Sequence, residues 1–222
     1  MAGPAIGVMA KAPRPGAVKT RLIPALGADG AARLARAFLE DSAALAARVA
    51  SANHGTAFAL VTPDGEAEAV AALTGLSALP QGEGDLGDRM VACFATLFRR
   101  GHAPVLLIGA DCPTLPDRHL AEALALARRA PVFGPAHDGG YWGVALPAPA
   151  PSLFAGITWG GATVLAETRA AAARAGITLA FAPPWEDIDE EADLAILARQ
   201  LAEDEAVAPA TRAALAELAL SR

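Results

Sequence analysis

The sequence has only two cysteines in 222 residues, Cys93 and Cys112. They lie far apart and outside any Cys-x-x-Cys spacing, which excludes a cysteine zinc cage and a disulfide framework and leaves both as small core residues. Long apolar runs are also missing. The hydrophobic fraction of 54% is inflated by alanine, and the longest apolar runs are strand-length, well short of the ~20 residues that cross a bilayer. The N-terminal stretch is sparsely basic and meets Lys11 and Pro13 almost at once, which does not suit a signal peptide, so a cytoplasmic protein is expected. Basic excess is absent as well. A formal net charge of −6 argues against a general nucleic-acid binder, which needs a broad cationic face to displace counterions. Three common catalytic signatures are lacking. Ala17 and Val18 separate Gly16 from Lys19, so the Gly-Lys pair of a phosphate-binding P-loop is not formed; no Gly-x-Gly-x-x-Gly follows the first strand; and no Ser/His/Asp order with a nucleophile elbow appears.

What is present is an alternation of short β-like runs with longer helical ones. Ala5 to Ala10, Thr56 to Val61 and Pro104 to Ala110 suit buried strands, and alanine- and leucine-rich stretches between them imply βαβ units in one domain spanning residues 1–222. The first long helix is predicted to start near Asp29 and to bury Leu34, Phe38, Leu45 and Val49, with Arg33, Arg36 and Glu40 outside. A second, after Gly87, presents Met90, Phe94 and Leu97. A third, after Pro116 with Asp117 as its cap, presents Leu120 and Leu124. Pro131 to Pro135 and Tyr141 to Leu146 read as strands joined by the turn His137-Asp138-Gly139-Gly140, which points to a mixed sheet. A helix from Thr163 to Ala175 ends at Gly176, a strand follows from Ile177 to Ala182, and a terminal helix starts near Pro209.

Four segments could carry chemistry. The loop after the first strand places Lys11, Arg14, Lys19 and Arg21 within eleven residues of an acidic chain. Ligands of α/β sheets bind beyond the carboxyl ends of strands, so such a loop can clamp phosphates, although a solvated basic turn would share the composition. Pro13 and Pro15 remove backbone donors, which leaves the contacts to side chains. The second segment, Val105 to Thr114, delivers Asp111 to the end of an apolar strand, where an unpaired carboxylate is costly and a hard divalent cation would satisfy it. The third is the acidic run Glu186 to Asp193. Acidic residues in a first helical turn are ordinary, but with Asp111 either Asp189 or Asp187 could complete a pair holding one metal, and Asp189 at the cap is preferred. The fourth, His137 to Trp142, combines paired glycines that admit close backbone approach with aromatic walls; a tight hairpin or a surface histidine would explain it equally. Gly82 to Asp88 and Trp159 to Thr163 are further glycine-bearing loops that could line a site or merely connect elements.

Together, Ala-Lys-Ala-Pro-Arg-Pro-Gly-x-Val-Lys-Thr-Arg-Leu at 10 to 22, Gly-Asp-Leu-Gly-Asp-Arg-Met at 84 to 90, Gly-Ala-Asp-Cys-Pro-Thr-Leu at 109 to 115 and Asp-Gly-Gly-Tyr-Trp at 138 to 142 resemble a bacterial glycosyltransferase-like family. That family is related to 2-phospho-lactate guanylyltransferase, within the nucleotide-diphospho-sugar transferase superfamily. The resemblance runs to about Leu197. It implies a three-layer glycosyltransferase A type fold, Rossmann-like, with a mixed, mostly parallel sheet flanked by helices and nucleotide bound over the N-terminal half. By similarity, Lys11, Arg14 and Lys19 would act on the triphosphate, with Ala10, Arg21, Gly84, Asp85, Asp138, Gly139 and Gly140 completing the nucleotide and acceptor contacts. Asp111 and Asp189 would hold Mg2+ or Mn2+. Two departures stand out: the basic proline loop replaces the glycine-rich Gly-x-Gly-x-x-Arg loop of sugar-phosphate nucleotidyltransferases, and Asp111-Cys112-Pro113 lacks the second aspartate of many glycosyltransferases' Asp-x-Asp.

The activity this implies is metal-dependent nucleotidyl transfer from a nucleoside triphosphate, with GTP the first candidate, to a small phosphorylated acceptor, releasing pyrophosphate. A glycosyltransferase using a nucleotide-sugar donor is the alternative, and a nucleotide-sensing module without turnover a third. No nucleic-acid or membrane partner is expected.

Overall fold

A computed structural model describes residues 2–220. The described residues form a seven-stranded sheet made of β1 (Ala5–Lys11), β2 (Thr56–Thr62), β3 (Ser77–Pro80), β4 (Val105–Gly109), β5 (Val132–Pro135), β6 (Tyr141–Leu146) and β7 (Ala180–Phe181), in the order β3-β2-β1-β4-β6-β5-β7. β1 pairs in parallel with β2 and β4, β2 with β3, and β5 with β7, whereas β6 runs antiparallel to both β4 and β5. The mixed, mostly parallel sheet expected from the alternation is therefore present. Its central strands are apolar without interruption because helices cover both faces.

Successive residues of each strand serve opposite layers. Ile6, Val8, Leu106 and Ile108 meet one face, where α1 (Ile23–Ala52) contributes Leu39, Leu45 and Val49, α2 (Ala67–Thr74) contributes Val70, and α4 (Asp117–Leu126) contributes Leu120 and Leu124. Ala5, Val105 and Leu107 meet the other, where α3 (Leu86–Arg99) supplies Met90, Phe94 and Leu97 and α5 (Val164–Ala175) supplies Ala172. A third cluster joins Leu34 and Phe38 of α1 to Ile188, to Leu197 and Leu201 of α6 (Asp193–Glu203), and to Ala214 of α7 (Pro209–Leu220). Asp41 of α1 is buried in this seam, where its carboxylate accepts the N–H groups of Ala210 (3.0 Å) and Thr211 (2.8 Å) and so caps α7 from a distance. No helix among the described residues is long and apolar enough to cross a membrane.

Several boundaries differ from the sequence expectations, each for a local reason. α1 begins at Ile23 rather than near Asp29, because Pro24 starts a first helical turn that Gly27, at φ 72° and ψ 166°, separates from the long helix. α3 starts one residue earlier than Gly87 because Asp85 caps it: Asp88 N–H donates to Asp85 Oδ1 at 2.9 Å and Asp85 N–H to Asp88 Oδ2 at 3.3 Å. Asp117 does not cap α4; its carboxylate is gripped by Arg48 of α1 through Nε (2.8 Å) and Nη2 (2.6 Å). The strand expected from Ile177 to Ala182 contracts to Ala180–Phe181 at the sheet edge, where it pairs with β5 alone. The short α2 and the edge strand β3 carry almost no buried apolar periodicity, with only Val70 buried in α2, and so left no clear pattern in the sequence.

Candidate active site

β1 and β4 are parallel neighbours, so Lys11 and Asp111 leave the sheet at the same edge. There the chain encloses an open cleft of about 380 Å³, lined by Ala10, Lys11, Lys19, Arg21, Gln81, Leu86, Arg89, Asp111 and Asp189 among others. This is the crevice outside the carboxyl ends of strands where α/β sheets place ligands.

Lys19 is its organising residue. Its backbone adopts the left-handed conformation, φ 44° and ψ 43°, and its side chain is only 5% exposed. The ammonium donates to Asp189 Oδ1 at 2.6 Å and to the Ile188 carbonyl at 2.6 Å, pairs with Asp111 Oδ1, and lies 5.4 Å from the Phe38 ring centre. Burial by itself would depress the Lys19 ammonium, but Asp111 and then Asp189 outweigh it and hold its pKa above the ordinary lysine value. The two aspartates are fixed from behind. Ile188 N–H donates to the Asp111 carbonyl at 3.0 Å, and Asp193 Oδ2 accepts from the N–H groups of Asp189 (2.9 Å) and Glu190 (2.7 Å). The sequence reading placed Asp189 at the cap; the position before α6 is Ala192, which makes no side-chain cap, and Asp193 in the first turn instead reaches back to the loop while Asp189 faces the cleft.

Asp187 has a different environment. It is half-buried, and burial, followed by Asp138, Asp189 and Asp111, pushes its carboxyl up to about 6. Asp189, rather than Asp187, shares the Lys19 ammonium with Asp111. A metal at this pair would be supported by two hard carboxylate oxygens that already converge on one cationic point, the donor set magnesium or manganese takes when substrate oxygens and water fill the other positions. Among the described residues no group of three or more His, Cys, Asp or Glu gathers into a self-sufficient cage. The residues present therefore fit a substrate-dependent ion better than a permanently held one.

The remaining candidates divide. Lys11 and Arg21 line the cleft, Arg21 while paired with Glu190 at 3.1 Å. Ala10 lines it too, its carbonyl accepting from Gln81 Nε2 at 3.1 Å. Arg14 does not: it is exposed, pairs with Glu66, and borders a separate hollow with Pro13, Arg36 and Leu73. Gly84 and Asp85 stand off the lining because Asp85 is engaged in capping α3, but Leu86 and Arg89 of the same motif enter it. Asp138, Gly139 and Gly140 are likewise outside it. Asp138 Oδ1 accepts from Gly140 N–H at 2.8 Å, and the backbone approach that Gly139 permits is to Ala162 of the same chain. Gly87 similarly gives room to the Trp159 ring. His137 is exposed, 3.6 Å from Glu186. Gln81, which sequence reasoning missed, is 3% exposed and spends Nε2 on the carbonyls of Ala10 and Leu60 (2.7 Å), bracing the ends of β1 and β2. A lone polar residue before Gly82 was its only trace in the sequence.

Residues 44–161 match the family of uncharacterized proteins conserved in bacteria designated DUF2064. The chain belongs to this family. A crystal structure from Desulfovibrio desulfuricans G20, provisionally named a nucleotide-diphospho-sugar transferase, is 31% identical over 98% of this chain and 95% of its own, with a TM-score of 0.87. More distant likenesses share the fold alone. A CMP:2-keto-3-deoxy-manno-octonic acid synthetase complexed with CTP is 10% identical, with a TM-score of 0.56 over 90% of this chain and 99% of its own. The inositol-1-phosphate CTP transferase of T. maritima is 14% identical, with a TM-score of 0.54 over 91% and 96%. The family's sheet and helices thus follow the nucleotide-diphospho-sugar transferase architecture that the motifs suggested.

Proposed function

We propose that this protein is a transferase that moves a nucleotidyl group from a nucleoside triphosphate to a small phosphorylated acceptor and releases pyrophosphate. The observation that carries the reading is the convergence of Asp111 and Asp189 on one cationic point inside a cleft that also holds Lys11, Arg21 and Arg89. An acceptor oxyanion would attack the α-phosphorus, and the bond to the pyrophosphate oxygen would break. A divalent ion at the aspartate pair would supply charge neutralisation for the phosphates. Lys11 and Arg89 would bind and orient the phosphate chain from the cleft wall, and positioning with electrostatics would provide the rate enhancement. No protein nucleophile is needed, and neither cysteine suits one. Both are buried, which pushes the Cys93 thiol up to about 12 and Cys112 well above its ordinary value. The resemblance of the motifs to a family related to 2-phospho-lactate guanylyltransferase makes GTP the first nucleotide to try.

Glycosyl transfer is the second reading, favoured by the name of the Desulfovibrio relative. Calorimetric titration with GTP, ATP, CTP, UTP, UDP-glucose and GDP-mannose, with and without magnesium, separates the two. Magnesium-dependent binding of one triphosphate, lost in Asp111→Asn, supports nucleotidyl transfer. Preference for a nucleotide sugar turns the assignment to glycosyl transfer, and binding indifferent to both magnesium and Asp111 removes the site.

A further inference from the structure

Left-handed backbone is costly for a residue with a Cβ, yet Lys19 adopts it where the loop turns into the short helix that begins at Thr20. What the conformation achieves is delivery of the ammonium to a cluster of three oxygens, from Asp111, Asp189 and Ile188. The lysine side chain is sealed at 5% exposure, whereas the two carboxylates remain 51% and 42% exposed on the cleft side. A cation arriving with substrate can therefore reach them without passing the lysine. Sharing them with the lysine in place is disfavoured, because the ammonium already holds Oδ1 of each aspartate and a second cation on either carboxylate would stand only a few ångström away and repel it.

We propose that Lys19 is an intramolecular placeholder, an ammonium that competes with the divalent ion for the Asp111–Asp189 pair and yields it when an anionic substrate is present to receive the lysine charge. This rests on the reading of Asp111 and Asp189 as the metal pair. Three consequences follow from the geometry. In the free protein the pair is already neutralised in part, so divalent ions bind weakly. A polyphosphate and a divalent ion bind with reciprocal positive coupling, because each offers a partner to the charge that the other displaces. The paired oxygens stay together between turnovers instead of repelling each other apart.

The test is Mn2+ binding to the nucleotide-free protein, read by electron paramagnetic resonance, for wild type, Lys19→Met, Asp111→Asn, and Lys19→Met combined with Asp111→Asn. Lys19→Asn serves as a second neutral variant, since asparagine tolerates left-handed backbone. Circular dichroism checks that each is folded. The expected result is that both neutral variants bind Mn2+ at least about tenfold more tightly than wild type, within the range of ordinary site coupling, and that Asp111→Asn abolishes the gain. If wild type and the Lys19 variants bind Mn2+ equally and Asp111→Asn weakens both, the metal pair stands and the competition is overturned. If none of the proteins binds Mn2+, the metal reading falls, and the placeholder with it.

Discussion

A Cβ on Gly139 would stand 2.1 Å from the Ala162 carbonyl oxygen, and φ at that residue is 92°. Backbone facing backbone cannot move aside as a flexible side chain can. Gly139→Ala should therefore cost roughly 2–4 kcal/mol, a strained left-handed residue added to a steric clash, and chemical denaturation would record it as a lowered midpoint. A substrate-contact role for this glycine would instead leave the midpoint in place and raise KM. The two loop cations separate in the same way. Lys11 lines the cleft while Arg14 faces Glu66 outside it, so Lys11→Ala should lower kcat/KM for the nucleotide by about tenfold or more, the loss of one charge-assisted contact. Arg14→Ala should change it by less than about threefold, since an exposed ion pair contributes little. Comparable losses in both would mean that the loop reorganises on binding. Composition placed Lys11, Arg14, Lys19 and Arg21 in one basic loop, but which of them face inward depends on the backbone path through Pro13, Gly16 and the left-handed Lys19, and side-chain periodicity does not encode that path.

Elements are where the sequence was most readable. Leu34, Phe38, Leu45 and Val49 are buried on α1 as their spacing requires, and Tyr141–Leu146 has the bounds the pattern gave it. Long periodic helices and buried apolar strands bury enough surface to impose their own pattern, whereas α2 and β3 are short, half-exposed edge elements with too few buried positions to do so. Caps were harder to read, because Asp29, Asp85, Asp88, Asp117 and Asp193 are interchangeable as residue types. Asp85 is the one at the start of α3, with Asp88 reciprocating. Asp85→Ala should destabilise by about 1 kcal/mol and Asp85→Ser by much less, measured by urea denaturation. A loss of nucleotide binding in Asp85→Ser without loss of stability would restore this residue to the site.

At the scale of the whole molecule, His119 links α4 to Trp142 within β6 and to Trp185 beyond β7, with ring centres 6.2 Å and 5.2 Å away. Burial, and then Arg118, lower its pKa against the opposing effects of the Pro184 backbone and Glu122, and its Nδ1 has no partner among the described residues. A histidine whose folded pKa lies below its unfolded value contributes fully above the unfolded pKa of about 6.5 and loses that contribution as pH falls through the folded one. The urea midpoint should therefore drop between pH 7 and pH 5, and His119→Leu should flatten that part of the profile. An unchanged slope in the variant would assign the acid sensitivity to other groups.

Alternating buried strands and amphipathic helices were enough to determine a mixed α/β architecture from the sequence, and an apolar strand ending in Asp111 beside a basic loop was enough to point to the end of the sheet where the cleft lies, because burial periodicity and unpaired charge are local properties. Only the tertiary structure decided how the charges are spent. Lys19 and Asp189 are 170 residues apart, and their meeting with Asp111 depends on Ile188 being pinned to the strand end and on Asp193 turning Asp189 toward the cleft. Arg14, Asp85 and Asp138 are drawn to partners of their own on the same terms. Coulomb attraction and hydrogen bonding act on distance in space, so the choice among chemically equivalent aspartates and arginines belongs to the folded chain.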